Sequence, residues 1–274
     1  MRNCVAFAGI MILFFGWLVS CGQPAEEENK VVVTDTILPN PQTLVMASIP
    51  DTVETYYLLG KFDPAKDTAF AQIADIHAKG SARGAYLHKE SYAAFVRMYD
   101  AAKADGITLT ILSATRNFNR QKEIWEGKWK GSIKVGGKDL SVTVPEPGER
   151  AQTILLYSSM PGTSRHHWGT DMDINALDNH YFDTGKGKAE YDWLQANAYK
   201  FGFCQPYTAK GEERPTGYEE ERWHWSYMPL AQKYLAAYGR QVSPDMIGGF
   251  AGAETATQLD VIKNYVMGVN KACK

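Results

Sequence analysis

Hydrophobic positions recur along this chain with two different periods, and the changes between them outline its elements. Phe70, Ile73 and His77 recur at helical spacing behind Asp63-Pro64, a capping residue followed by a proline, which predicts a helix. Tyr92, Phe95, Val96 and Tyr99 mark a second helix, stopped by Gly106. Ile107, Leu109 and Ile111 alternate with threonines and predict a strand; Arg116 stands just past it, and Gln121, Ile124 and Trp125 lie on the next helix. Gly136-Gly137, between two short β-like runs, predicts a hairpin over residues 133–144, followed by a helix over 150–157. Residues 170–175 alternate, with Met172 and Ile174 on one face and Asp171 and Asp173 on the other. A helix over 191–199 ends at Gly202. Residues 222–227 alternate again, with Trp223, Trp225 and Tyr227 opposite His224 and Ser226. A late helix is predicted over 253–271. Helices and strands mix without strict βαβ order, so the expected fold class is α+β, with a small, mainly antiparallel central sheet flanked by helices.

The two alternating segments carry the chemistry on their polar faces. One reads Ser164-Arg-His166-His167-Trp-Gly169-Thr-Asp171-Met-Asp173; the other reads Glu221-Arg-Trp223-His224-Trp225. Two imidazoles and a carboxylate, with a spare glutamate three residues before the last histidine, are the inventory of a catalytic zinc site. Such a site keeps three protein ligands and leaves the fourth position to water, whose proton the spare carboxylate takes. A sheet face is a rigid platform for that arrangement, with the tryptophans packed behind it. The helical His-Glu-x-x-His motif is absent. No Gly-x-Ser-x-Gly surrounds Ser164, which excludes a serine hydrolase of the nucleophile-elbow type.

The pair of segments resembles the VanY-type D-alanyl-D-alanine carboxypeptidases, within the LAS metallopeptidases. That pattern is Ser-x-His, six residues, Asp, and later Glu-x-x-His, and every position is filled here. Ser113-Ala-Thr-Arg116 with Gln121 looks like the family's substrate-binding arginine segment, and residues 193–203 look like the helix and turn before its last ligand. The likeness runs from about Tyr57 to Tyr238. It implies one Zn²⁺ per chain held by His166, Asp173 and His224, with Glu221 as general base and Arg116 stabilising the oxyanion. Arg116 could also hold a substrate carboxylate. Ser164 and Gln121 become candidate substrate contacts, and Asp171 a carboxylate that orients a ligand from behind. His167 is set aside, since neighbours on an extended backbone point opposite ways. The implied partners are peptidoglycan stem peptides, and the implied reaction removes a terminal D-alanine. An L,D-carboxypeptidase, a D,D-dipeptidase, a cell-wall endopeptidase and a non-catalytic peptidoglycan-binding lipoprotein are the alternatives; the intact Glu221 argues against the last. Two departures, Arg222 where many members have proline and Thr170-Asp171 in place of the small apolar residue common before the liganding aspartate's neighbour, bear on bond preference.

The N-terminus changes the picture of where this chemistry takes place. After Arg2, Val5 to Val19 is an unbroken run of fifteen apolar and glycine residues. That suits a signal-peptide core better than a membrane span, which needs about 20. It ends in Leu18-Val19-Ser20-Cys21, which resembles a bacterial lipobox with Cys21 as the lipidated residue. The expected organisation is a signal peptide over 1–20, a lipidated tether over 21–50 with a short strand at Val31-Val32-Val33, a catalytic domain over 51–240 and a helical extension over 241–274. The chain would be exported and held at a membrane in the bacterial cell envelope, facing the periplasm. Of four cysteines, Cys204 and Cys273 remain after processing, as a disulfide or as two isolated thiols. A net charge of −2 gives no basic surplus for phosphates, so nucleic acid is not an expected partner.

Overall fold

The computed structural model describes residues 53–274. The expected signal peptide, Cys21, the expected tether and the strand expected at Val31 to Val33 lie outside the described residues. In chain order come α1 (Thr55–Leu58), β1 (Phe70–Gln72), β2 (Tyr86–His88) and the long helix α2 (Lys89–Ala104). Then follow β3 (Ile111–Ser113), α3 (Phe118–Trp129), α4 (Leu140–Thr143) and α5 (Pro147–Ile154). The second half holds β4 (Asp171–Ile174), α6 (Gly185–Asn197), β5 (Phe203–Cys204), β6 (His224–Tyr227), α7 (Met228–Gln241) and α8 (Thr255–Gln258). The main sheet has the order β3-β4-β6-β5 and is antiparallel throughout; β1 and β2 form a separate antiparallel pair. This is the α+β architecture that the patterning predicts.

Local chemistry overrides the patterning in four places. Asp63 and Asp67 do not start a helix. Their carboxylates accept from Ala65 N at 3.0 Å and Ala69 N at 2.8 Å, which makes turns that deliver Phe70 into β1. The strand expected from Ile107 begins at Ile111, because Asn175 bonds the backbone of Thr108 and Thr110 through its side chain instead. The hairpin over 133–144 shrinks to one bridge, Val135 with Lys138; Asp139 then caps α4 by accepting from Ser141 N at 3.0 Å. The late helix is broken. Asp260, at φ +46°, interrupts it after α8, and single turns over Ile262–Val266 and Lys271–Cys273 complete the chain.

One face of the main sheet is apolar. Met172, Ile174 and Trp225 pack against Ala94, Phe95, Met98 and Ala102, the buried stripe of α2. Burying Phe95 or Met98 contributes about 1.5–3 kcal/mol each, and truncating Phe95 to alanine costs about 3–5 kcal/mol. His88 caps α2, its Nδ1 accepting from Glu90 N at 3.3 Å. A second cluster joins Trp125, Trp168, Tyr234 and Tyr238 to Val261 and Val266, so the segment after α7 shares a core with α3. A Cys204–Cys273 disulfide, with Cα atoms 5.9 Å apart, ties the last turn to β5.

The other face of the sheet positions the site. Across the β4–β6 ladder Asp173 faces His224 and Asp171 faces Ser226; on the other side Ser113 faces Asp173. Directly opposed residues share a face, with Cβ atoms about 4.5–5.5 Å apart. Two short strands therefore bring a carboxylate and an imidazole together without any loop.

Candidate metal centre

The third donor arrives on a turn. Arg165–Trp168 form a single 3₁₀ turn between Ser164 and Gly169. Gly169 sits at φ +71°, and a Cβ there would stand 2.3 Å from Phe70 Cε1, so only glycine closes this turn. His166 Nε2 lies 3.4 Å and His224 Nδ1 3.2 Å from the same oxygen, Asp173 Oδ1. All three residues are buried, and their donor atoms lie within 4.8 Å of one another. The outer nitrogen of each ring is already engaged. His166 Nδ1 faces Ala114 O at 2.9 Å, and His224 Nε2 faces Asp171 Oδ2 at 2.9 Å. These contacts aim the inner nitrogens at Asp173.

The charges of the cluster suit a cation. Asp173 Oδ1 is buried between the two ring nitrogens without a well-aligned hydrogen bond to either, which is costly for a carboxylate oxygen unless positive charge adjoins it. Without metal, burial opposes the charged form of His224, but Asp171, Asp173 and Glu221 hold it well above its ordinary imidazole value. Burial likewise opposes ionisation of Asp173, and the two histidines hold it well below the carboxylate range. A metal ion held by the three donors would take the place of that proton. Two imidazole nitrogens and one carboxylate, open on one side to a cleft, fit a divalent transition metal rather than an all-oxygen calcium or magnesium site.

Behind the donors, Asp171 is fully buried and wholly engaged. Its Oδ2 accepts from Arg165 Nε at 2.9 Å as well as from His224; its Oδ1 accepts from Thr170 Oγ1 at 2.6 Å and Ser226 Oγ at 2.8 Å. Burial pushes its carboxyl up, but Arg165 and His224 keep it below the ordinary carboxylate range. The unusual Thr170 is thus a partner for Asp171. Arg222, the other departure, pairs with Asp183 at 2.8 Å and stands over the Tyr191 ring; it does not line the cleft.

Glu221 stands on the turn entering β6, its Oε2 3.3 Å from His224 Nδ1. It is 6 % exposed, and burial pushes its carboxyl above the ordinary glutamate value against the pull of His224. Its neighbours are used elsewhere: Glu219 pairs with Lys210 at 2.6 Å, and Glu220 with Arg222. Arg116 reaches the cluster from past β3, with Nη1 3.7 Å from Asp173 Oδ2. Its Nε donates to Gln121 Oε1 at 3.0 Å and its Nη1 to Ser113 Oγ at 2.6 Å, while Gln121 Nε2 donates to Ser159 O at 2.8 Å. Gln121 therefore holds Arg116 as well as lining the cleft. Ser164 Oγ is buried, without a partner, and lines the cleft too.

His167 points away from the donors, as expected, but for a different reason. The backbone here is a 3₁₀ turn rather than a strand, and the ring bridges Arg116 O at 2.6 Å and Gly162 N at 3.0 Å. Donors, Glu221 and Arg116 all open onto one cleft of about 900 Å³. Lys128, Ser158, Tyr207 and Arg165 also line it, and the sequence does not single them out. Arg165 has the one local signal that was available, adjacency to His166. The other three reach the cleft only through tertiary folding.

A family model described as VanY, D-alanyl-D-alanine carboxypeptidase, matches residues 84–230 of this chain. The putative carboxypeptidase YodJ of Bacillus subtilis is 32% identical over 180 residues, 63% of this chain and 57% of that protein. A D-alanyl-D-alanine carboxypeptidase of Enterococcus faecalis is 34% identical over 133 residues, 48% of this chain and 45% of that protein. The matches thus span 57% and 45% of the length of these curated relatives. Among solved structures, a variant of the vancomycin-resistance D,D-pentapeptidase VanY in complex with Zn(II) is 26% identical. It covers 70% of this chain and 92% of its own, with a TM-score of 0.44.

Proposed function

The chain belongs to the VanY D-alanyl-D-alanine carboxypeptidase family, and on that premise we propose that it is a zinc-dependent carboxypeptidase that trims D-alanine from peptidoglycan stem peptides. The observation that carries this reading is the position of Glu221. A buried carboxylate with a raised pKa stands 3.3 Å from a donor nitrogen and opens onto the same cleft. A protein that only binds peptides has no use for such a base.

One Zn²⁺ held by His166, Asp173 and His224 would supply Lewis-acid polarisation and a water whose pKa is lowered to about 7. The chain's own residues do the rest. Glu221 accepts the proton of the attacking water and returns it to the leaving amine. Arg116, fixed by Gln121 and Ser113, stabilises the negative charge that develops on the carbonyl oxygen. Asp171 and the Ala114 carbonyl keep the two rings in register. Ser164 Oγ, buried and unpartnered, is available to the bound peptide.

Incubating the protein lacking residues 1–50 with purified stem peptides, with and without chelator, and identifying products by mass tests this reading. Release of free D-alanine that chelator stops is the expected result. Release of a dipeptide, or of a residue from an L,D bond, would reassign the reaction within the family. We further propose that Cys21 carries lipid and tethers the protein to the cell envelope. The chain should then take up labelled fatty acid, and Cys21→Ser should not.

A further inference from the structure

We propose that Lys128 and Ser158 form a carboxylate-binding subsite in the cleft, which reads a substrate carboxylate that Arg116 does not hold. The inference rests on the peptidase reading above and assigns a specificity contact within it.

Lys128 follows Gln121 by two turns on α3, so both stand on one helix face, about 10 Å apart along the axis. That face runs along the Ser158-Ser159 segment. Gln121 Nε2 donates to Ser159 O, and Lys128 Nζ donates to Ser158 Oγ. Gln121, Lys128, Ser158 and Ser159 all line the cleft.

The cations of the cleft are not equivalent. Arg116 is committed to Gln121, Ser113 and Asp173, and Arg165 to Asp171 and Ser226. Among the described residues, no carboxylate lies within ion-pair distance of Lys128. Burial lowers the pKa of its ammonium and the charge of Arg116 adds to the effect, with Glu221 opposing both from beyond ion-pair distance. A half-buried cation with no carboxylate in direct contact is costly, and a bound anion offsets that cost. An ammonium has three donors, of which Ser158 takes one. Ser158, having accepted from Lys128, keeps its own hydroxyl proton to donate. Cation and hydroxyl donor together make charge-assisted hydrogen bonds to a carboxylate. Such a peptide offers two sources for it: the C-terminal carboxylate or a carboxylate on an internal residue.

Steady-state kinetics of the zinc-loaded protein on stem peptides, and on the same peptides with one carboxylate at a time converted to an amide, test the subsite. Lys128→Met is expected to raise KM about tenfold while kcat holds. The peptide amidated at the recognised position should show that raised KM with the wild-type protein already, and no further rise with Lys128→Met. Which amide behaves so tells the C-terminal source from the internal one. Lys128→Arg, which keeps a cation, should restore most of the affinity and separates lost recognition from a folding defect. An unchanged KM in Lys128→Met, or an equal rise for every peptide whether amidated or not, overturns the subsite. Failure of the wild-type protein to turn over any of the peptides overturns the peptidase reading instead.

Discussion

His224 Nε2 and Asp171 Oδ2 lie 2.9 Å apart, and this contact turns the ring's other nitrogen toward Asp173 and Glu221. Asp171 can do this because it is itself held from three sides, by Arg165, Thr170 and Ser226. One buried carboxylate thus fixes the tautomer and the aim of a donor that it does not replace.

Asp171→Asn should weaken zinc binding by about 10–100-fold, the usual cost of losing a partner behind a liganding histidine. It also leaves the fully buried Arg165 without its counter-charge, so stability should fall by about 3–5 kcal/mol. Chelator competition and chemical denaturation measure the two effects separately. Wild-type zinc affinity in this variant would mean that the Asp171 contact does not orient the ring.

Arg116→Lys should lower kcat although the charge is kept. The guanidinium is clamped through Nε by Gln121 and through Nη1 by Ser113, and a lysine has no planar fork to fill that clamp. Unchanged kcat and KM in the lysine variant would reduce Arg116 to a diffuse positive charge.

Stability should depend on pH through His88. Burial lowers its pKa from the ordinary 6.5 to about 4, and the neutral ring caps α2. A folded pKa below the unfolded one means that this contribution is complete above pH 6.5 and is lost as pH falls toward 4. The slope for one proton is about 1.4 kcal/mol per pH unit. His88→Asn keeps an acceptor at the cap and cannot take up that proton, so its denaturation free energy should fall less steeply over this window. Parallel slopes in the two proteins would remove His88 from the account.

Cys273→Ser should lower stability by about 2–5 kcal/mol, since the bond closes a sequence separation of 69 residues between β5 and the last turn. Zinc content and kcat should stay the same, because neither cysteine touches a donor. An unchanged denaturation midpoint under oxidising conditions would show that the late core holds the C-terminus without it.

The sequence made the sheet face legible because a period of two is unambiguous. Met172 and Ile174 went to the core, Asp171 and Asp173 to the site, and Trp225 behind His224; Trp223, expected on the same face as Trp225, instead lines the cleft beside Tyr157, because it precedes β6. Asp173 and His224 lay on those polar faces, but His166, on a 3₁₀ turn, and the choice of Asp173 over Asp171 came from the resemblance to the family's spacing, as did Glu221 three residues before His224. What could not be read was decided by contacts remote in sequence or by side chains bonding the nearby backbone. Asp63, Asp67, Asp139 and Asn175 each redirect a segment whose apolar pattern alone points elsewhere. Gln121 was a candidate substrate contact or local cap, and its hold on Arg116 has no mark in the local sequence. Lys128 and Ser158 meet across a sequence separation of 30 residues, and nothing local marks either one.

If this buried cluster is a hydrolytic zinc centre with Glu221 as its base, losing the base must spare the metal and slow the reaction. Zinc content and kcat of Glu221→Gln, measured on one preparation, test it most directly. The amide fills the same space beside His224 but cannot accept a proton, so the account predicts full zinc occupancy with kcat lowered by about 10²–10⁴. Near-wild-type turnover with the zinc in place would contradict it.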